Sequence, residues 1–141
     1  MITNATATLY NHYTDHTTER TIYKRTFLGK VSWNVLQKTG FENKTLISDD
    51  MASIYIPFDS ITDKTYIEPK LFKKLSDEDK EHYFTLDNDD YIVKGEIDSN
   101  LSFDNIKKTN EVYNIISVRI SDFGSKRMHH YEVGAKWLVL I

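Results

Sequence analysis

The chain has 141 residues, of which 40% are hydrophobic, and a formal charge of −3 at pH 7. This length fits one domain with a packed core. The absence of cysteine excludes disulfides, thiolate metal ligands and cysteine nucleophiles. No apolar run approaches the roughly 20 residues of a membrane helix. The first ten residues lack the basic start and apolar core of a signal peptide, so we expect neither secretion nor a membrane segment.

Most of the chain shows the alternating pattern of β-strands, rich in β-branched and aromatic residues. In chain order, strands are predicted at residues 4–13, 20–37, 51–58, 83–86, 91–97, 112–120 and 128–141. In the second strand, Gly29 is expected to mark a bulge or a sharp bend. One face of that strand is expected to carry Tyr23, Phe27, Val31, Trp33 and Val35. The third strand is expected to end at Pro57 or to lie at a sheet edge, because proline lacks a backbone donor.

Helix signals are few and short. Residues 68–75 have Pro69 at a position that suits a first turn, and Ser76 with Asp79 resembles a capping box. A further short helix is predicted at residues 102–108. The fold class is therefore mainly β: a single domain over residues 1–141, built as a small antiparallel β-barrel or sandwich, with one or two short helices in a long inter-strand segment.

The sequence also predicts the segments that connect the strands. Polar loops are predicted at residues 14–19, 38–50 and 122–127. The segment 59–82 is far longer than the usual connection of about four to six residues. Long loops often carry function, so this segment is the first candidate for an interface or a gate. Its large apolar residues are the proposed contacts: Tyr66, Leu71, Phe72 and Leu75.

The histidines and carboxylates give no recognisable site. His129 and His130 are neighbours on a predicted strand and point to opposite faces, and His12 and His16 flank a turn. Residues 87–90 begin like a calcium loop but lack the later glycine and glutamate that such a loop requires. We therefore expect that the chain binds no metal and no cofactor and that it is not an enzyme. A hydrolase built on scattered carboxylates remains the weakest alternative, with these candidates: Asp49, Asp50 and Glu96.

A second alternative is a small barrel that binds an oligonucleotide or an oligosaccharide on an open face. The stacking candidates for this function are Tyr10, Tyr23 and Trp33. A short basic and aromatic run at residues 23–27 is the only hint of a nucleic-acid patch, and nothing extends it. Together with the negative net charge, this gives no electrostatic case for wrapping DNA.

Four strings stand out as a set: residues 8–13, 53–58, 83–96 and 129–134. In their order and spacing they resemble a family of small structural proteins of tailed phages and prophages of Gram-positive bacteria, known as minor capsid or head-tail connector proteins. The chain keeps the aspartate of the third motif at Asp90. It has Asn88 and Asp89 where a glycine-containing turn is common, and Tyr131 where the family has a tryptophan.

The resemblance implies a β-barrel subunit of a stopper-type ring in the virion neck, made in the bacterial cytoplasm. The implied partners are sister copies of the chain, the adaptor or portal-side connector protein and the tail terminator or tail tube protein. Packaged DNA would pass through the channel without specific binding. A tail-completion or terminator protein of the same neck is the neighbouring possibility. In this context the segment 59–82 would be a lumen gate or an inter-subunit arm.

Overall fold

The computed structural model describes residues 3–15, 17–39, 48–60, 62–97 and 103–137. His16, Ser102, most of the predicted loop 38–50 and the last four residues of the predicted strand 128–141 lie outside this part. The side chains of Asp49 and Asp50 also lie outside the description. No helix in the described ranges is long and apolar enough to cross a membrane.

Strands dominate the described chain. They are β1 (Ala5–Thr14), β2 (Thr21–Thr39), β3 (Ser48–Pro57), β4 (Thr65–Tyr66), β5 (Tyr83–Phe84), β6 (Tyr91–Lys94), β7 (Val112–Ser121) and β8 (His130–Trp137). The helices are α1 (Pro69–Lys74), α2 (Asp77–Lys80) and α3 (Phe103–Thr109), with a 3-10 turn at Lys126–Met128. The prediction of a mainly β fold with few short helices is confirmed.

Six of the strands form a closed antiparallel barrel in the order β1-β2-β3-β8-β7-β6. The ring closes where β6 pairs with β1, from Ala7 opposite Lys94 to Tyr10 opposite Tyr91. β4 and β5 form a separate parallel pair. The barrel encloses one apolar core to which every barrel strand contributes, and closure leaves these six strands without the unpaired edges of an open sheet.

β2 carries a bulge opposite Thr6, where two residues, the first of them Gly29, face one residue of β1. The predicted bulge is therefore confirmed. Because an extra residue reverses the alternation of inward and outward side chains, the inner face changes parity there. The buried positions are Thr26 and Leu28 before the bulge, and Val31 and Trp33 after it. The expectation of one shared face is wrong: Tyr23 and Phe27 are only partly buried on the outer side, and Val35 is exposed.

β7 carries a second bulge at Ile116, because Ile115 pairs with Ala135 whereas Ser117 pairs with Gly134. The glycine has a steric reason, since a Cβ at Gly134 would collide with the Ser117 hydroxyl oxygen. The bulge shifts the inward alternation of β7 by one residue, so that Val118 packs against the barrel core, and it leaves Ile116 exposed.

The β2–β3 hairpin is longer than the sequence predicts. The ladder between the two strands continues to Thr39 opposite Ser48, through residues that the alternation pattern assigns to a loop. At the other end β3 stops at Pro57, as expected from the missing backbone donor.

One end of the barrel is covered by the chain between β3 and β6. β1, β3 and β7 finish at this end, while β2, β6 and β8 begin there. The covering segment contains β4, α1, α2 and β5, and it adds Phe84 and Leu86 to the barrel core. Both helices start as predicted: α1 has Pro69 in its first turn, and the Ser76 hydroxyl caps α2 by accepting from the Asp79 amide at 3.2 Å. We name this end, with its covering segment, the covered end.

α3 packs on the outside of the barrel wall rather than at an end. Phe103 stacks on Tyr23 with ring centroids 4.1 Å apart, and it also contacts Tyr10 and Tyr91. Ile106 is fully buried in the same cluster. This explains why β1 is buried on both faces: its inner side chains fill the barrel, and its outer ones lie beneath α3.

Candidate functional site

A groove of about 820 Å³ runs between α1 and β7 at the covered end. Its apolar wall comes from β7 and includes Ile116 and Ile120, which are 43% and 46% exposed. Its rim is charged on both sides: Lys70 and Lys73 come from α1, and Asp87 follows β5. Burial of these isoleucine side chains against a partner would be favourable, because it would remove their apolar surface from water. We name this feature the α1–β7 groove.

More exposed apolar side chains lie at the covered end. Leu71 on α1 is 47% exposed. Phe123, in the loop between β7 and β8, is 76% exposed, and Met128 in the 3-10 turn of the same loop is 51% exposed. Clusters of this kind on a small domain mark protein interaction surfaces more often than isolated apolar residues do.

The interface candidates predicted from the sequence differ in position and in exposure. Tyr66 lines the groove and packs on Tyr131 with ring centroids 4.5 Å apart. Leu71 is at the surface, as an interface residue should be. Phe72 is 1% exposed and is therefore not a surface residue of the single chain; the Lys80 ammonium lies 5.8 Å from the centre of its ring. Its expected role in an interface or gate stays a prediction.

Leu75 and the segment as a whole also differ from the expected arm. Leu75 ends α1, is partly buried, and its carbonyl accepts a 2.6 Å hydrogen bond from the Lys80 ammonium. Ser60 bonds to both backbone groups of Lys30, and the Lys64 ammonium donates to the Arg25 carbonyl at 2.6 Å. The segment 59–82 is therefore folded against its own barrel.

His12 and Asp90 form the one tightly paired titratable site of the described chain. Asp90 is 1% exposed and accepts from His12 Nδ1 at 2.5 Å, the His12 amide, the Asn11 amide side chain and the Asp87 backbone amide. The hydrogen bond from His12 to Asp90 is the main cause of a raised His12 pKa, and Asp87 and Asp89 raise it further, whereas burial opposes the shift. The pair links β1 to the turn before β6.

The other histidines and acids remain separate. His130 bonds to Glu132 at 3.1 Å and to the Met128 carbonyl, while His129 lies beside Phe58. No group of three or more histidine or acidic side chains within the described residues could hold a metal ion.

The side chains proposed to stack on an oligonucleotide or oligosaccharide are packed against other residues of the chain. Tyr10 and Trp33 are 4% and 5% exposed, and Tyr23 stacks on Phe103 beneath α3. The short basic run is used within the fold as well, since Lys24 lies 3.6 Å from Glu81 and the Arg25 guanidinium donates to the Ile97 carbonyl. The three stacking candidates are therefore packed within the fold.

A family model described as "Family of unknown function (DUF6751)" matches residues 2–136. This chain belongs to that family. No curated protein and no solved structure matches it. The matched residues include all of the described barrel except Trp137, so the covered end and the α1–β7 groove are parts of the DUF6751 domain.

Two features of this DUF6751 chain have no clear signal in its sequence. The exposure of Ile116 depends on a bulge that no glycine or proline on β7 announces, and the partner of His12 lies 78 residues away. Phe123 did have a signal, because a phenylalanine beside glycine in a polar loop has no strand face to bury it.

Proposed function

We propose that this DUF6751 protein is a structural subunit of the head-tail connector of tailed phages, a stopper-type ring subunit that closes or lines the DNA channel and docks the tail. The observation that carries this proposal is the set of exposed apolar side chains at the covered end, including those of the α1–β7 groove. A subunit that acts by assembly needs such surfaces, which sister copies or neck proteins then bury.

The resemblance to phage connector proteins supports the same function. Three of its four strings lie on the barrel strands β1, β3 and β8, and the other lies on β5 and β6. All of them reach the covered end, where Tyr131 of the last string packs on Tyr66. The strings that carry the resemblance thus meet at the end of the barrel that we propose for assembly, although Tyr131 stands where the connector proteins have a tryptophan.

Charge supports a ring that DNA passes through without being held. The net charge is −3, and the basic run near Lys24 and Arg25 is paired internally. A channel lined by such subunits would not attract the phosphate backbone strongly. The proposed partners are sister copies, the adaptor or portal-side connector protein and the tail terminator or tail tube protein. A tail-completion role in the same neck would use the same surfaces.

Complementation tests this function. A phage whose copy of the gene is disrupted would be supplied with the wild-type chain or with the double variant Ile116→Ser and Ile120→Ser. We expect the variant to yield DNA-filled heads without tails, or leaking heads, in electron micrographs. Val35→Ser is the matched control, because Val35 is 44% exposed but lies on β2, at a distance from the groove, and it should give normal virions.

Normal numbers of tailed, infectious particles from the double variant, with the purified variant still folded, would contradict the role of the groove.

A DNA-binding measurement distinguishes the connector function from the alternative of a nucleic-acid binding module. The purified chain should bind duplex and single-stranded DNA more weakly than micromolar at physiological salt. Sequence-specific binding at nanomolar concentration would replace the connector proposal with a nucleic-acid binding module.

A further inference from the structure

A second concave feature at the covered end adjoins the groove at Tyr66. This cavity of about 470 Å³ lies where β3 ends, β8 begins and the covering segment crosses between them. Its volume falls within the roughly 300–1,000 Å³ of small-molecule sites, and barrel mouths are a common place for such sites. We name it the β3–β8 cavity.

Aromatic rings form its apolar walls. Tyr131 lies between Phe58 and Tyr66, with ring centroids 4.6 Å and 4.5 Å away. Phe84 packs on the far side of Tyr66 and closes the cavity towards the barrel core. Phe58 is 44% exposed, so it stands at the mouth. Flat rings arranged in this way favour a ligand with a flat apolar body, which can stack against them.

The charge on the polar side of the cavity is positive. Lys64 is the charged residue among the described residues that line it, beside the hydroxyl side chains of Ser60, Thr62 and Thr65. Burial lowers the Lys64 pKa, and Asp63 only partly opposes this shift. The ammonium donates to the neutral Arg25 carbonyl at 2.6 Å. A partly buried cation of this kind is stabilised by an anion placed against it.

We propose that the β3–β8 cavity binds a small organic anion with a flat apolar body, an aromatic carboxylate in its simplest form. The carboxylate pairs with the Lys64 ammonium, and the ring lies against Tyr131 and Phe58. This inference does not rest on the connector function, because it concerns ligand binding by the isolated subunit, and the cavity shares only Tyr66 with the lining of the α1–β7 groove.

Three naphthalene derivatives of the same shape test the proposal on the intact chain: 2-naphthoate, neutral 2-naphthalenemethanol and cationic 2-naphthylmethylammonium. Amide chemical shifts and isothermal titration calorimetry would report binding. We expect 2-naphthoate to bind with a Kd below 1 mM, at least tenfold more tightly than the alcohol, with the cation weakest. Shifts should concentrate at Phe58, Lys64 and Tyr131. Equal affinity for the three compounds, or no shifts at these residues, would overturn the proposal without any mutation.

Two variants then assign the roles. Lys64→Met keeps the length of the side chain and removes its charge, so it should reduce naphthoate affinity to that of the alcohol and leave alcohol binding unchanged. Phe58→Ala should weaken both. Lys70→Met is the control, because it removes a lysine from the rim of the α1–β7 groove instead. Naphthoate binding that survives Lys64→Met, or is lost equally in Lys70→Met, would contradict the site. The wild-type ligand series decides the question if a variant fails to fold.

Discussion

His12 and Asp90 join the two strands that close the barrel, with His12 Nδ1 donating to Asp90 Oδ1 at 2.5 Å. Three further donors also point at the Asp90 carboxyl group: the His12 amide, the Asn11 side-chain amide and the Asp87 amide. β6 pairs with β1 over only four residue pairs. The buried carboxylate therefore strengthens the shortest ladder that β1 makes in the barrel.

Asp90→Asn should lower the free energy of unfolding by about 3 kcal/mol, because an amide group accepts fewer of these donors and leaves buried groups unsatisfied. Urea denaturation would measure the loss. Asp89→Asn is the matched control: Asp89 is exposed with a φ of 72°, a conformation that asparagine tolerates, so stability should change by less than about 0.5 kcal/mol. A similar small change in both variants would show that Asp90 does not secure the seam.

Stability should depend on pH through His12. Its pKa is raised in the folded chain by Asp90, and Asp87 and Asp89 act in the same direction. The folded state thus binds the proton more tightly than the unfolded state does. The stabilisation is fully present below the unfolded pKa of about 6.5, and it disappears as the pH rises through the higher folded pKa. Denaturation of the wild type and of His12→Gln between pH 5.5 and 9 would measure it. A wild-type slope that His12→Gln reproduces would assign the effect to other groups.

Lys80, the last residue of α2, is a buried structural residue. It is 3% exposed, its ammonium lies 4.6 Å from the centre of the Tyr13 ring, and it donates to the Leu75 carbonyl. Lys80→Ala should cost about 2 kcal/mol, through lost stem packing, cation–π contact and hydrogen bonding. Lys80→Met should cost about half as much, because it keeps the stem. Thermal unfolding would rank the two variants against exposed Lys74→Ala, and equal stability of all three would contradict this role.

The β7 bulge can be tested at its contact with β8. Gly134→Ala should cost about 1 kcal/mol, since the new Cβ forces the Ser117 hydroxyl to move. In a Ser117→Ala background the same change should cost nothing, because the remaining Cβ is at an ordinary contact distance of 3.7 Å. A double-mutant cycle by urea denaturation measures the difference. Additive effects would mean that the two positions do not touch in solution.

Local patterns in the sequence settled the class of the fold and several element boundaries. Alternation predicted strands where β3 and β8 lie. Pro57 ended β3, Pro69 began α1, and Ser76 capped α2. These features depend on backbone chemistry within a few residues, so the sequence carries them directly.

Tertiary structure alone decided which face of each strand is buried beyond a bulge, since one extra residue reverses the alternation at Gly29 and again at Ile116. It also decided that Phe72 is buried within its own chain while its neighbour Leu71 is exposed. The His12–Asp90 pair and the rings around the β3–β8 cavity come from distant parts of the chain. Closure of the barrel brings them together, and no local pattern encodes a contact between residues so far apart.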